Sequence, residues 1–367
     1  KHHIWSGNYE RKYENILSLQ KEIVLDIIEH ISIILSPEYI GTISSPGLIN
    51  LSAYEYFIRG CIEFDKTTLE SLYSAIDLFE SSFEENPGFA RAYAWIGFSY
   101  SILAKIDSED PRSMFKKAKI YADKALALDN MVPEAHAVMG FYKWGYEWDF
   151  AGAEKEFKLA ISLSPSSAIV RNFYWIFLYS IGKKSESLNE INIACELDPH
   201  SLFNLIMKEF LSKENIENKI RNLEKLKIVN PLDFRIKKAL ALLYLRKGEI
   251  IKSKELLINI NEIRKNHYQS YSAVAKFYAD QGMRKKAEEI LNDLLDRDKK
   301  EYISPTCIAI VYIALGDYEN AFRFIERAYK EKDWLLLRQI SVWEGIDLIR
   351  SDQRFKDLKN KIGINTF

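Results

Sequence analysis

The chain has 367 residues, with 51 Lys plus Arg against 52 Asp plus Glu and a formal net charge of -1. A balance this close argues against a general nucleic-acid binder or a binder of anionic membranes. Hydrophobic residues make up 47% and aromatics 13%, ample for a large core, while Gly at 15 and Pro at 9 are as few as a mostly helical chain wants.

The chain opens outside any repeat. "HHIWSGNY" reads as a short strand, and the His2-His3 pair raises no expectation of a metal site. "YENILSLQKEIVLDIIEHISIIL" over 13–35 follows as a long amphipathic helix, with Ile16, Leu19, Ile23, Ile27, Ile31 and Ile34 along one stripe. Residues 36–52, "SPEYIGTISSPGLINLS", hold two Pro, two Gly and four Ser and read as a linker. The opening residues do not read as a signal peptide. No apolar run reaches the roughly 18 residues that a membrane span needs.

From residue 53 to 330 the chain repeats, with units read near 53–87, 90–130, 133–165, 168–199, 200–231, 234–260, 268–295 and 302–330. The register is plainest at the end: Gly248, Gly282 and Gly316 are 34 residues apart, as are Tyr244, Tyr278 and Tyr312, and Ala241, Ala275 and Ala309. In "SYSAVAKFYADQG" the apolar residues recur at helical spacing, and Gly282 ends the helix where a left-handed residue is wanted. In "RKKAEEILNDLL" Ala287, Leu291 and Leu294 share one face of a second helix.

Earlier units keep the roles less regularly, through Gly60, Ala75 and Phe79, then Gly97 and Ala118, then Gly140, Ala153 and Phe157, then Ser187 and Ala194. Gly60 to Ala75 is 15 residues where Ala275 to Ala287 is 12, so the first turn is expected to be three residues longer. Trp175 stands where a small residue is usual, so the fourth hairpin is expected to open or shift. The fifth unit lacks small residues, yet Gly182 to Gly248 is 66, twice 34 less two, so a helix pair is expected there too. Pro87, Pro165, Pro199 and Pro231 fall just past second helices, where proline stops a helix without breaking it. After Lys330, Leu335, Leu336, Ile340, Phe355 and Leu358 are expected to pack on the last unit, making 331–367 a helical cap.

The small-Tyr-Gly-Ala series at this period resembles the tetratricopeptide repeat. The resemblance implies an all-α, right-handed α-solenoid of about eight helix hairpins, with the amphipathic helix before it and the cap after it. More specific strings are "PEAHAVMGF", "YEWDFAGAEKEFKLAISLSP" and "DLIRSDQRFKDLKNKIG". They are similar to the tetratricopeptide region of bacterial class III adenylate cyclases and CadC-like winged-helix regulators. Trp5, Tyr9, Arg11, Ile16, Leu19, Gln20, Glu22 and Ile23 resemble the tail of a TolB-N-like domain and the helix after it. That likeness implies a fragment of a larger signalling protein. No cyclase, kinase or DNA-binding residue carries over.

The chemistry-bearing residues are sparse. Cys61, Cys195 and Cys307 lie far apart inside helical patterns and read as buried free thiols. No phosphate-cradling glycine loop, His-Glu-x-x-His or Cys-x-x-Cys occurs, so no catalytic residue, cofactor or metal is expected. His136 falls at a helix-packing position, as a satisfied core histidine. Arg235, Lys237, Lys238 and Arg246 make a local basic patch, fit for an acidic peptide or for plain solvation.

The informative set is the inner face of the first helices: Tyr54, Phe57, Phe64, Phe98, Phe141, Trp144, Asn172, Ile176, Tyr179, Arg235 and Lys238. As a groove it is expected to take a peptide or protein across units one to four, or the 13–35 helix in cis. As packing, the same rings serve the neighbouring helices. The reading is a non-enzymatic interaction module, the sensory or docking region of a bacterial signalling or transcription-regulatory protein. Its alternatives are a self-association scaffold and an enzyme with a hidden site. Nucleic acid and membrane insertion are not expected. The location is expected to be cytoplasmic, or beyond the membrane if an upstream transmembrane helix exists.

Overall fold

A computed structural model describes residues 50–105, 110–263, 268–342 and 348–363. The expected opening strand, the 13–35 helix and most of the linker lie outside them. Among the described residues the secondary structure is helical, in 18 α-helices and one π-helical turn. They pair in chain order: α1 (Leu51–Lys66) with α2 (Leu69–Glu85), α3 (Ala90–Leu103) with α4 (Pro111–Leu128), α5 (Pro133–Tyr142) with α6 (Phe150–Leu163), and α7 (Ala168–Ser180) with α8 (Lys184–Leu197). Then come α9 (Leu202–Leu211) with α10 (Ile216–Val229), α11 (Phe234–Lys247) with α12 (Ile250–Ile263), α13 (Tyr268–Asp280) with α14 (Arg284–Asp298), and α15 (Pro305–Leu315) with α16 (Tyr318–Lys330). Two further helices follow, α17 (Trp334–Val342) and α18 (Gln353–Ile362). This is the all-α solenoid of eight hairpins with a helical cap.

Two kinds of helix end set the repeat. Inside the hairpins, Gly182, Gly248, Gly282 and Gly316 take φ of 82°, 84°, 71° and 78°. The N–H after the glycine reaches back five residues: Glu249 to the Tyr244 carbonyl at 2.9 Å, Met283 to Tyr278 at 2.8 Å, Asp317 to Tyr312 at 2.9 Å. The Tyr-to-Gly spacing is thus a Schellman closure, which needs a left-handed residue at its turn. Between hairpins, Asn86, Ser164, Asp198 and Asn230 leave the helix at φ of -141°, -142°, -134° and -128°. Each precedes a proline, whose ring excludes the helical conformation from the residue before it.

Gly140 answers to packing instead. A Cβ there would lie 3.1 Å from the Phe157 ring and 3.2 Å from the Ala153 carbonyl, so glycine lets α5 and α6 touch.

The irregular units depart from the sequence reading in instructive ways. In unit one, α1 and α2 are 16 and 17 residues long and are joined by Thr67 and Thr68 alone. The additional residues lengthen helices, and the expected long turn is absent. Thr68 and Ser71 close the gap with a reciprocal capping box at 3.1 and 3.0 Å. In unit three Gly140 to Ala153 spans 13 residues, and Lys143–Glu147 widens into a π-helical turn. In unit four the hairpin does not open around Trp175. The Ser187 hydroxyl donates to the Trp175 carbonyl at 2.9 Å, as Ser253 does to Ala241 at 2.8 Å. The indole packs on Ile191 and Cys195 of α8 and reaches Phe203 of unit five. The degenerate fifth unit is itself a helix pair, α9 and α10.

The core positions everything that follows. One apolar cluster runs through units one to four and continues into unit eight, α17 and α18. Smaller clusters hold units five to seven. The first and last parts of the solenoid therefore share a core that the middle units do not.

Candidate docking face

Five of the candidate rings are interior. Phe57 and Phe64 are 3% exposed, Trp144 1%, and Phe98 and Phe141 not at all. The expected open row of aromatics across units one to four is thus replaced by packing. Phe57 meets Phe79 and Trp95 at 5.6 and 5.7 Å, and Phe98 stacks on Phe173 at 4.6 Å. Phe141 lies between Phe173 at 5.2 Å and Trp334 at 4.8 Å. Trp144 presents its ring edge-on to Phe177 at 5.6 Å and Trp334 at 4.4 Å. Such offset and edge-to-face pairs add to the burial of the rings themselves.

The cause is α17. Trp334, its first residue, seats among Phe141, Trp144 and α7, and Leu336, Leu337 and Ile340 join the same cluster while Leu335 joins the one behind. The Lys105 ammonium lies 5.0 Å from the Phe141 centroid, 5.5 Å from Phe173 and 5.8 Å from Trp334. Lys332 places its ammonium 3.5 Å over the Trp148 ring, which also packs on Tyr329 at 4.9 Å. Burial holds the Lys332 pKa below its ordinary value. Between them, Asp333 is buried and caps α17, accepting from the Leu335 N–H at 3.0 Å.

The other six candidates stay half-buried. Tyr54 lies against Phe57, and Asn172, Ile176 and Tyr179 line one side of α7. The Asn172 Oδ1 is buried with no hydrogen-bond partner. Thirty-two residues on, Asn204 has both its amide atoms buried and unpartnered. Arg235 and Lys238 stand on α11. The basic patch is largely engaged: Arg235 pairs with Asp233 at 2.6 Å, Lys237 is buried and donates to Asn259 at 2.7 Å, and Arg246 lies over Phe210 at 5.1 Å. Burial works against the Asp233 carboxylate, but the Arg235 guanidinium outweighs it and holds the pKa low.

His136 is bonded on both ring nitrogens. Nδ1 is 2.8 Å from Glu156 and Nε2 is 2.9 Å from the Asn130 carbonyl, two acceptors that only the imidazolium satisfies together. Glu156 raises the His136 pKa, with help from Asn130 and against burial. A raised folded-state pKa adds stability that is complete below the unfolded value of about 6.5 and is lost as pH rises through the folded value. Urea titrations across neutral pH should show wild type losing stability there and His136→Gln losing less. Parallel pH profiles would remove His136 as the cause.

Among the described residues no three His, Cys, Asp or Glu side chains gather to hold a metal ion, and no helix is long and apolar enough to cross a membrane. The sequence reading did not single out Lys105, Trp148, Lys332, Asp333 or Trp334 as site residues. The available signal was local: Asp333 precedes the apolar run Trp334–Leu337, a helix-start pattern.

No family model matches the chain. A stretch of 143 residues is 30% identical to the transcriptional regulator HilA of Salmonella typhimurium, covering 39% of this chain and 26% of that protein. The matched stretch thus spans about a quarter of the regulator's length. Among solved structures, the APC/C hetero-tetramer Cut9-Hcn1 is similar with a TM-score of 0.57 at 13% identity, over 87% of this chain and 57% of that one. The human IFIT1 dimer with m7Gppp-AAAA is similar with a TM-score of 0.54 at 14% identity, over 85% of this chain and 79% of that one. The likeness to these structures is one of fold, a tetratricopeptide-like α-solenoid.

Proposed function

We propose that the chain is a non-enzymatic protein-docking module of a bacterial regulatory or signalling protein. Its docking face is the half-buried row Asn172, Ile176 and Tyr179 on α7, continued by Arg235 and Lys238 on α11. The observation that carries this reading is the Asn172 amide, whose oxygen is buried and lacks a hydrogen-bond partner beside half-exposed apolar and aromatic side chains. The oxygen is out of reach of solvent as the side chain stands, so a peptide laid along α7 would supply a backbone N–H once the Asn172 amide turns outward, and the cost of an unsatisfied buried acceptor favours that turn. The partial likeness to HilA supports a regulatory setting.

A display library of random peptides, panned on the full chain, tests the reading. Selected peptides should lose about ten-fold or more in affinity on a Tyr179→Ala, Lys238→Ala double variant. Unchanged affinity for every selected peptide, on a variant with wild-type circular dichroism, would place docking elsewhere.

A further inference from the structure

The helix ends carry an exception that the repeat does not explain. Hairpins four, six, seven and eight turn on Gly182, Gly248, Gly282 and Gly316, all at positive φ. The same closure recurs at the end of α16, where the Asp333 N–H reaches the Ala328 carbonyl at 2.9 Å. Here the left-handed residue is Lys332, at φ 56°. A side chain in that conformation is strained, and glycine is the unstrained choice. Among the described residues three non-glycine residues have positive φ, and two of them, Lys332 and Trp148 at φ 64°, touch each other. What Lys332 gains over glycine is its ammonium 3.5 Å above the Trp148 indole.

That contact lies where the solenoid closes on itself. Trp148 belongs to unit three and Lys332 leads into α17, whose Trp334 packs on the seat of Phe141 and Trp144. The seat adjoins α7, the helix that carries Asn172, Ile176 and Tyr179. The docking face thus continues into units three and four, and there a segment of the same chain already occupies it.

We infer that α17 is an autoinhibitory segment latched by the Lys332–Trp148 pair, and that the partner is a helix of the same design, an acidic N-cap followed by Trp and an apolar turn, which takes its place. The inference rests on the docking reading above. The cis occupant specifies the chemistry: an aromatic ring for the Phe141–Trp144 seat, aliphatic side chains behind it, and a carboxylate for Ser304 and Thr306. Release of α17 would bare Phe141 and Trp144 together, an apolar patch that binds a second helix or associates.

Lys332→Gly separates a latch from a core. It relaxes the backbone, so the chain should fold, while the cation–π contact is lost. Hydrogen exchange on the full chain should show amide protection over residues 334–340 falling about ten-fold or more, with α3 and α11 unchanged. A labelled peptide of residues 331–342 should bind Lys332→Gly about ten-fold tighter than wild type, since the competing segment is released. Trp334→Ala, if folded, should behave likewise. Unchanged protection in α17, or protection lost together with α3 and α11, overturns the latch, as does equal peptide affinity for both chains. If library peptides bind through Tyr179 and Lys238 but ignore Lys332→Gly, the latch fails and the docking reading stands. If α17 opens in Lys332→Gly yet no peptide binds either chain, the docking reading fails and takes the proposed partner with it.

Discussion

Trp144→Ala, and Phe141→Ala beside it, should each lower the unfolding free energy by about 3–5 kcal/mol, the range for truncating a buried aromatic side chain. Both residues are essentially without exposure, and both meet Trp334 from the far end of the chain. Each substitution therefore leaves a cavity that touches unit three, unit four and α17 at once, and relaxation of one helix cannot fill it. Tyr179→Ala removes a half-buried ring of the same inner face and should cost about 1 kcal/mol or less. Urea midpoints read by far-ultraviolet circular dichroism compare the three directly. If Trp144→Ala lowers the midpoint no more than Tyr179→Ala does, the rings of units three and four are not core.

The contrast between these residues marks where the sequence was legible. A helix hairpin is a local object. The small residue at Ala241, the Schellman glycine at Gly248 and the proline after α10 are each fixed by steric rules acting over a few residues, so their period is visible in the letters alone. The inner face could be named by the same counting, since Phe57, Phe98, Phe141 and Asn172 follow from the register.

What covers that face could not be read off. Phe141 and Trp334 are 193 residues apart in the chain, and their meeting depends on the accumulated rotation of the units between them. Unit five is shortened and unit three carries a π-helical turn, and each shifts that rotation by an amount no periodicity records. An aromatic on the inner face reads identically whether the superhelix leaves it open or returns to bury it. The hairpin stays closed around Trp175 for a related reason. A large residue at a small position obstructs a hairpin only if its ring finds no room beside the helix contact, and here the ring packs on Ile191 and Cys195 of α8 and reaches Phe203 of unit five.

Asp333→Ala should be as damaging as the loss of a core ring, although it removes only a carboxylate. Its Oδ2 accepts from the Ser304 hydroxyl at 2.7 Å, the Thr306 hydroxyl at 2.6 Å and the Thr306 N–H at 3.1 Å, and its Oδ1 accepts from the Leu335 N–H at 3.0 Å. Thr306 lies in the first turn of α15 and Leu335 in the first turn of α17, so one buried carboxylate caps two helices. Burial pushes its pKa up, and the four donors, with the positive ends of two helix dipoles, offset part of that cost. Alanine would leave four buried donors without an acceptor, a loss of about 3–5 kcal/mol even after partial relaxation. Asparagine should not rescue it. The two backbone N–H groups bind different oxygens, so one of them would face the amide NH2 whichever way the side chain turns. Ser304→Ala deletes one donor and leaves the other three paired, so it should cost about 1 kcal/mol. An Asp333→Asn chain as stable as wild type in urea would mean that the carboxylate charge is not what joins α15 to α17.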